Sequence, residues 1–387
     1  MESGLELSIV MPCLNEVRTV GICVDKARSF LERHQILGEV VVADNGSTDG
    51  SRALAEERGA RVVAVPAKGY GNALMGGFEA AGGRFIIMGD ADDSYDFLEL
   101  GKFVHELRQG AELVQGCRLP RGGGRVLPGA MPFLHRWLGN PLFTQLVRSW
   151  FRAPIHDVYC GLRGFTKDLY LRLDQRCTGM EFATEMIIKA SLFQARIREV
   201  PITLHPDGRK SHPPHLRTFR DGWRTLRFFL MYSPQWLFMI PGLSLIGFGL
   251  LGYLVAMPGL TIGRITFDLH TLLFASLAIL CGVQSCVFWI LTKQFAVSER
   301  LIPEEPRLDR LFAVMNLERG LLASALSMAL GLLLLSWAVY LWYRSGWGRL
   351  DYVTTMRWVI PGFTLTALGF QTMCSSFFSS ILGMKRK

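Results

Sequence analysis

Ile86-Ile87-Met88-Gly89-Asp90-Ala91-Asp92-Asp93-Ser94 is an apolar run that ends in a cluster of carboxylates. A buried strand followed at once by acids spaced i and i+2 puts those acids where a sheet meets a cleft, the place at which open α/β sheets hold their ligands. A single aspartate at a strand end is an ordinary turn former. Asp90, Asp92 and Asp93 together repel one another unless a cation or solvent relieves them, which points to chemistry. Carboxylate oxygens are hard donors and suit Mg2+ or Mn2+, which bind through one or two carboxylates plus substrate phosphates.

Upstream of this stretch, strands and helices alternate. Residues 5–11 read as a buried strand, followed by Pro12-Cys13-Leu14-Asn15-Glu16 and a helix running to about Arg33. Residues 39–43 form a second strand that ends in Asp44-Asn45-Gly46-Ser47-Thr48-Asp49-Gly50, where Asn-Gly marks a turn and Ser47 or Thr48 can cap the next helix. A third strand at 61–65 leads through Lys68-Gly69-Tyr70-Gly71-Asn72 into a helix, and a fourth at 84–88 delivers Asp90 and Asp92. This rhythm predicts a largely parallel sheet with right-handed crossovers. One rim of that sheet collects Pro12, Asn15, Glu16, Asp44, Lys68 and the Asp90 cluster. A Walker-type phosphate loop is missing, and Gly69-x-Gly71 alone is weak evidence for one.

At 387 residues the chain has room for a soluble domain and a second, different part. From Trp236 onward, apolar runs at about 236–257, 269–292, 321–343 and 358–382 alternate with short polar breaks. Each reaches the roughly 20 residues needed to cross about 30 Å of hydrocarbon. The amino terminus is acidic, leads straight into a strand and does not resemble a signal peptide. Lys293, Arg300, Arg307, Arg310 and Arg319 follow the second run and Lys385-Arg386-Lys387 ends the chain, while the first loop has only Arg264. The bias agrees with both termini and the soluble domain in the cytoplasm; a multi-pass protein of a bacterial inner membrane is expected. Arg344, Arg349 and Arg357 in the third loop weaken the bias without reversing it.

The formal charge is +9, but its basic residues concentrate before and between the membrane runs, so anionic or phosphorylated lipid is a more economical partner than nucleic acid. Eight cysteines without a Cys-x-x-Cys pair indicate neither zinc nor a disulfide framework.

Met11-Pro12-Cys13-Leu14-Asn15-Glu16, Asp44-Asn45-Gly46-Ser47-Thr48-Asp49-Gly50 and Gly89-Asp90-Ala91-Asp92 resemble, in order and spacing, the catalytic domain of family-2 glycosyltransferases. Within that family the likeness is to the polyprenyl-phosphate sugar transferases. Beside the amphipathic interfacial helix at 216–232 and the all-α transmembrane domain of about four helices at 233–387 that the residue patterns give, the resemblance implies a GT-A (Rossmann-like) α/β domain over residues 1–215. It implies a nucleotide site at Pro12, Asn15, Glu16, Asp44, Lys68 and Asp90, and a metal held by Asp90 and Asp92. Ser94 is the third candidate ligand, standing where the pattern commonly has Gln.

Past a fifth strand at 112–115, Arg118, Arg121 and Arg125 lie among glycines in a mobile anion-trapping loop. The family likeness puts the acceptor phosphate at Arg118 and Arg136, which join Asp92 as the catalytic set. In His156-Asp157-Val158-Tyr159-Cys160-Gly161-Leu162-Arg163, Arg163 either holds Asp157 or reaches a phosphate. Glu181 and Glu185 open a helix, with Glu185 read as positioning or structural, and Arg209 and Lys210 belong to a loop that closes over nucleotide and acceptor. Leu216, Phe219, Trp223, Leu226 and Leu230 recur at helical spacing beside Arg217, Arg220, Arg224 and Arg227, as in a helix lying at the headgroups.

The implied reaction is metal-dependent, inverting transfer of a hexose from a nucleotide-diphosphate sugar of the GDP-mannose or UDP-glucose type to polyprenyl or dolichyl phosphate. A processive polysaccharide synthase and a catalytically silent membrane scaffold are the rival readings, and a homo-oligomer stays open.

Overall fold

The central strands are strands because helices cover both of their faces. In the computed structural model, which describes residues 4–208, 218–299, 301–303 and 316–383, β1 (Leu7–Cys13), β2 (Gly38–Asp44) and β4 (Phe85–Met88) are almost wholly buried. Such unbroken apolar runs are the mark of a doubly covered sheet. Along β1 the side chains alternate: Ile9 and Met11 pack with α1 (Val20–Arg33), while Val10 packs with α3 (Tyr70–Ala80) through Leu74 and Phe78.

Seven strands form the sheet in the order β3-β2-β1-β4-β7-β5-β8, where β3 is Arg61–Ala64, β5 Leu113–Cys117, β7 Arg163–Thr166 and β8 Ile197–Pro201. The first four are parallel, as expected, and β5 pairs parallel with β8. β7 runs antiparallel between β4 and β5, a reversed strand that sits in the segment read only as a motif. A short ladder of β6 (Arg125–Val126) and β9 (Thr203–Leu204) lies beside the sheet.

The chain leaves β1 toward β2 and β3 on one side and returns to β4 on the other, so the strand order reverses between β1 and β4. Pairing of β1 with β4 stops at Val10↔Met88, whereas pairing with β2 continues to Cys13↔Asp44. Pro12, which has no N–H to donate, lies in the stretch where β4 has already parted. A crevice therefore opens at the carboxyl ends of β1 and β4, the topological switch point of the sheet.

The unit that holds the sheet ends at Tyr232 and a second compact unit begins at Ser233. α8 (Thr218–Tyr232) belongs to the first unit: Phe228 and Phe229 are buried, with the Phe229 ring 5.9 Å from Phe143 and 6.3 Å from Phe151. Trp223 is exposed, and Arg224 pairs with Glu181 at 2.6 Å. This inward face falls between the stripes read from the sequence.

In the second unit, four helices among the described residues are long and apolar enough to cross a membrane: Gln235–Ala256 (containing α9, Ile240–Ala256), α10 (Leu269–Ser298), α11 (Leu317–Arg344) and α12 (Tyr352–Gly383). Gly331 and Gly362 let α11 and α12 approach so closely that a side chain on either would meet the other's backbone. Tyr253, Ser276 and Thr364 share hydroxyl hydrogen bonds across α9, α10 and α12. Arg209, Lys210, Leu216, Arg217, Arg300, Arg307, Arg310 and the basic tail lie outside the described residues, as do the side chains of Phe219 and Arg220.

Candidate active site

Four loops meet at the switch-point crevice, tied by side chains the sequence had marked. Asn15, held at φ 60°, donates its N–H to Ser47 Oγ at 2.9 Å and accepts the Thr48 N–H at 2.9 Å. Glu16 N donates to Ser51 Oγ at 2.8 Å, so the loops after β1 and β2 are laced together. Asp44 is buried, and its carboxylate accepts from the Gly46 and Ser47 amides at 3.1 Å. The expected Ser47 or Thr48 cap is not formed. The Ser47 amide turns back to Asp44, left-handed Gly50 precedes α2 (Ser51–Glu57), and Asp49 accepts from Ser51 N at 3.0 Å. Lys68 Nζ donates to Asn45 O at 2.6 Å, and Gly69 N to Asn45 Oδ1 at 2.9 Å, which brings the third loop onto the second.

The acids of the fourth loop divide into separate tasks. Lys26 on α1 pairs with Asp93 at 2.7 Å, relieving the repulsion that makes the cluster costly. Asp92 Oδ1 accepts from Ser94 N at 3.1 Å and from Ser94 Oγ at 2.6 Å, so the Ser94 hydroxyl orients Asp92. Asp90 Oδ1 accepts from the Tyr70 hydroxyl at 3.0 Å. Its Oδ2 faces Gly161, where an added Cβ would stand 2.8 Å away. Burial first, and the Asp90 charge next, push the Tyr70 phenol well above its ordinary pKa, so it stays a donor. His205 N and Gly208 N donate to Ser94 O and Asp92 O, both at 2.9 Å, mooring the chain that leads to Arg209 and Lys210 on this acidic turn.

Among the described residues no three His, Cys, Asp or Glu side chains gather so as to hold a metal by themselves. The donor set at Asp90 and Asp92 nonetheless fits Mg2+ or Mn2+, which need only one or two carboxylates when phosphate oxygens and water complete the shell. Burial pushes the nearby Cys13 thiol up to about 11, so it stays protonated. All eight thiols are free.

The arginines are placed differently from expectation. Arg118 is buried and forks onto Asp157, with Nε to Oδ2 at 2.7 Å and an Nη to Oδ1 at 2.9 Å. Burial opposes its charge, but Asp157 outweighs that and holds the guanidinium firmly protonated. Most of its fork is therefore turned inward, away from an acceptor. Arg163 donates to backbone carbonyls rather than to Asp157. It is wholly buried, donates to the carbonyls of Cys160 and Ala183, and burial lowers its pKa. No face of it is open to an anion. Arg136 is half-buried on the π-helical segment His135–Gly139, stacked 5.3 Å from the Trp137 ring centroid, with its Nε unpartnered. Arg121 is exposed, and so is Arg125 at the start of β6.

Glu185 lies far from solvent in another arrangement. Its buried carboxylate meets Lys189 Nζ at 2.9 Å, Tyr232 OH at 2.9 Å, Cys177 N at 2.8 Å and Arg176 N at 3.1 Å. Burial alone would raise its pKa, but Lys189 and these donors bring it below the ordinary carboxylate value.

Lys26, Tyr70 and Asp157 escaped the sequence reading as site-building residues. Tyr70 carried a signal: an aromatic hydroxyl at a helix start between two glycines needs a partner once buried.

An acid-bearing crevice at the switch point of a doubly wound sheet is where α/β proteins bind their ligands. Comparison with known proteins narrows this. Residues 8–173 match the glycosyl transferase family 2 model, and residues 290–383 match the family 2 C-terminal transmembrane region. The low-salt glycan biosynthesis hexosyltransferase of Haloferax volcanii is 37% identical over 383 residues, covering 97% of this chain and 89% of that one. A dolichyl-phosphate hexose transferase of the same organism is 29% identical over 198 residues, 51% of this chain and 82% of its own. Glucosyl-3-phosphoglycerate synthase from Mycobacterium tuberculosis, solved in complex with Mn2+, uridine diphosphate and glucosyl-3-phosphoglycerate, superimposes with a TM-score of 0.45 at 21% identity, over 60% of this chain and 79% of its own. The chain belongs to glycosyltransferase family 2. It is a membrane-bound glycosyltransferase whose catalytic domain is of the GT-A type.

Proposed function

We propose that the enzyme transfers a hexose from a nucleotide-diphosphate sugar, of the GDP-mannose or UDP-glucose type, to a polyprenyl or dolichyl phosphate at the cytoplasmic membrane face, with inversion. The observation that carries this reading is the burial of Glu185. A hydroxyl acceptor needs a general base within hydrogen-bond reach. Glu185, the acid at the helix where processive relatives keep theirs, is enclosed and occupied by Lys189, Tyr232 and two amides. A phosphate acceptor needs no base, since a phosphomonoester with a second pKa of about 6 is already anionic at neutral pH. The names of the two Haloferax relatives support hexosyl transfer, and one of them supports the lipid phosphate.

Asp90 and Asp92 would hold a divalent cation, which when bound supplies neutralising charge to the departing diphosphate. Asp92 is kept in orientation by Ser94, and Asp90 by Tyr70. Asn15, Glu16, Asp44 and Lys68 build the laced loops against which the nucleotide lies, with Pro12 at the mouth of the crevice. Arg136, with Arg209 and Lys210 of the loop that follows Gly208 in sequence, receives the incoming phosphate. Arg118 acts through Asp157 to set the floor of that loop. Exposed Trp223 on α8, and Phe133, Leu134, Trp137 and Leu138 beside Arg136, suit an apolar surface at headgroup depth.

The test is transfer of radiolabelled hexose from a panel of UDP- and GDP-sugars to undecaprenyl or dolichyl phosphate in detergent, with mass spectrometry of the lipid product. A single-sugar lipid phosphate is expected. Growth of a polysaccharide would instead favour the processive reading, and transfer that survives both chelation and Asp92→Ala would sink the metal's part.

A further inference from the structure

A chain of hydrogen bonds runs through the catalytic unit without using any residue of the donor loops until its last step. It begins at Tyr232, whose hydroxyl donates to Glu185 at 2.9 Å. Glu185 in turn gathers the amides of Arg176 and Cys177 at 3.1 and 2.8 Å, while Lys189 fixes the same turn by donating to Asp174 O at 2.6 Å. The carbonyl of the next residue, Thr178, accepts the Gly71 and Asn72 amides at 2.9 and 3.3 Å, so the turn closes on the first residues of α3. The contact is so close that a Cβ on Gly71 would fall on the backbone of Cys177 and Thr178. Tyr70, the first residue of that helix, then reaches Asp90 Oδ1 at 3.0 Å.

We propose that Tyr70 is a positioning residue for Asp90, and that its place is set by a brace running from Tyr232 through Glu185 and the turn at 176–178. The proposal rests on the reading of Asp90 and Asp92 as the carboxylates that hold a divalent cation. The physical case is one of constraint. A carboxylate on a turn has rotational freedom that a ligand must freeze; the half-buried Tyr70 phenol on one oxygen, and Gly161 packed against the other, remove that freedom beforehand. Tyr70 itself could swing with the end of α3, but the start of that helix is bonded to a turn held by a fully buried ion pair. Glu185 thereby has a role that neither a general base nor a simple helix cap describes.

The experiment uses the full chain in detergent, with Mn2+ alone and Mn2+ plus UDP or GDP as probes, and reads free Mn2+ by electron paramagnetic resonance. Asp92→Ala first establishes whether the acidic turn is the Mn2+ site; if binding is absent from the unsubstituted enzyme, or unchanged by Asp92→Ala, the metal reading and this proposal fall together. With that reading intact, Tyr70→Phe is expected to weaken Mn2+ affinity by about 10–100-fold, the usual cost of losing an outer partner of a metal ligand. Its melting temperature, by contrast, stays near that of the parent. Tyr232→Phe, at the far end, is expected to weaken Mn2+ affinity by about fivefold, as for one hydrogen bond, and to add nothing when Tyr70→Phe is already present. Unchanged affinity in Tyr70→Phe, or effects of the two substitutions that simply multiply, overturns the brace while leaving the metal reading standing. If Tyr70→Phe fails to fold, Tyr232→Phe alone decides: no change in Mn2+ affinity overturns the proposal.

Discussion

The turn at 90–94 and the helix start at 181–189 are both acidic, and they have opposite fates. In the turn, Lys26 neutralises Asp93, while Ser94 and Tyr70 orient Asp92 and Asp90 without carrying a countercharge. In the helix, Glu185 lies against Lys189 with both side chains fully buried, and Arg224 takes Glu181. Ser94 and Tyr70 orient their carboxylates without taking up charge, whereas the buried Lys189 ammonium takes up that of Glu185. The number of acids in a stretch therefore says less about chemistry than the charge of what surrounds them.

The sharpest way to break this contrast is to remove charge from each region. Asp92→Asn is expected to lower kcat/KM by roughly 100-fold or more, several kcal/mol of lost charge stabilisation at tenfold per 1.36 kcal/mol, with the melting temperature nearly unchanged. Glu185→Ala should do the reverse. Stranding a buried ammonium costs about 3–5 kcal/mol, seen as a large drop in thermal stability that the double substitution Glu185→Leu/Lys189→Met recovers. Should Glu185→Gln abolish turnover while the protein melts normally, Glu185 would be a base after all and the contrast would collapse.

Acid sharpens the comparison further. The folded-state pKa of Glu185 is lowered, so its contribution to stability is complete above the ordinary carboxylate value of about 4.3 and is lost as pH falls through the lowered folded value. Denaturation followed by circular dichroism between pH 6 and about 3 should show this loss in the parent and a flatter profile in Glu185→Leu/Lys189→Met. Ser94→Ala is expected to weaken Mn2+ binding by about tenfold, since it deletes the 2.6 Å bond that orients Asp92. Lys26→Met should have the smallest effect, about 1 kcal/mol or less of stability, because the pair with Asp93 is partly open to water.

Much of the crevice was legible because it is written in local patterns. Apolar runs bounded by Asp-Asn-Gly and Gly-Asp-Ala-Asp give strands and the rim they feed, and the observed β1, β2, β3 and β4 fall within two residues of the runs read from sequence. The apolar stretches after residue 235 gave four long helices for the same reason. What stayed hidden depends on contacts between distant residues. β7 is a four-residue strand that pairs antiparallel with both β4 and β5, and its place depends on partners far away in sequence. Arg118 read as an anion hook, and Arg163 as either that or a partner of Asp157, because an arginine beside glycines says nothing about which way it turns. One meets Asp157, 39 residues away, and the other sinks among carbonyls. The inward face of α8 was missed because Phe228, Phe229 and Tyr232 complete a core laid down by residues far upstream.

That last feature bears on biosynthesis. Phe229 fills a space between Phe143 and Phe151, and Tyr232 closes on Glu185, yet the first apolar helix begins at Gln235. Synthesis proceeds at about 5–20 residues per second, so the ribosome releases the final piece of the catalytic core within a second or so of the segment that membrane insertion must capture. A nascent chain ending before Phe228 carries an open aromatic socket; one ending after Tyr232 does not. The last step of folding this enzyme and the first step of anchoring it are thus nearly simultaneous, and a soluble fragment for expression should stop after Tyr232 rather than at the end of the last strand.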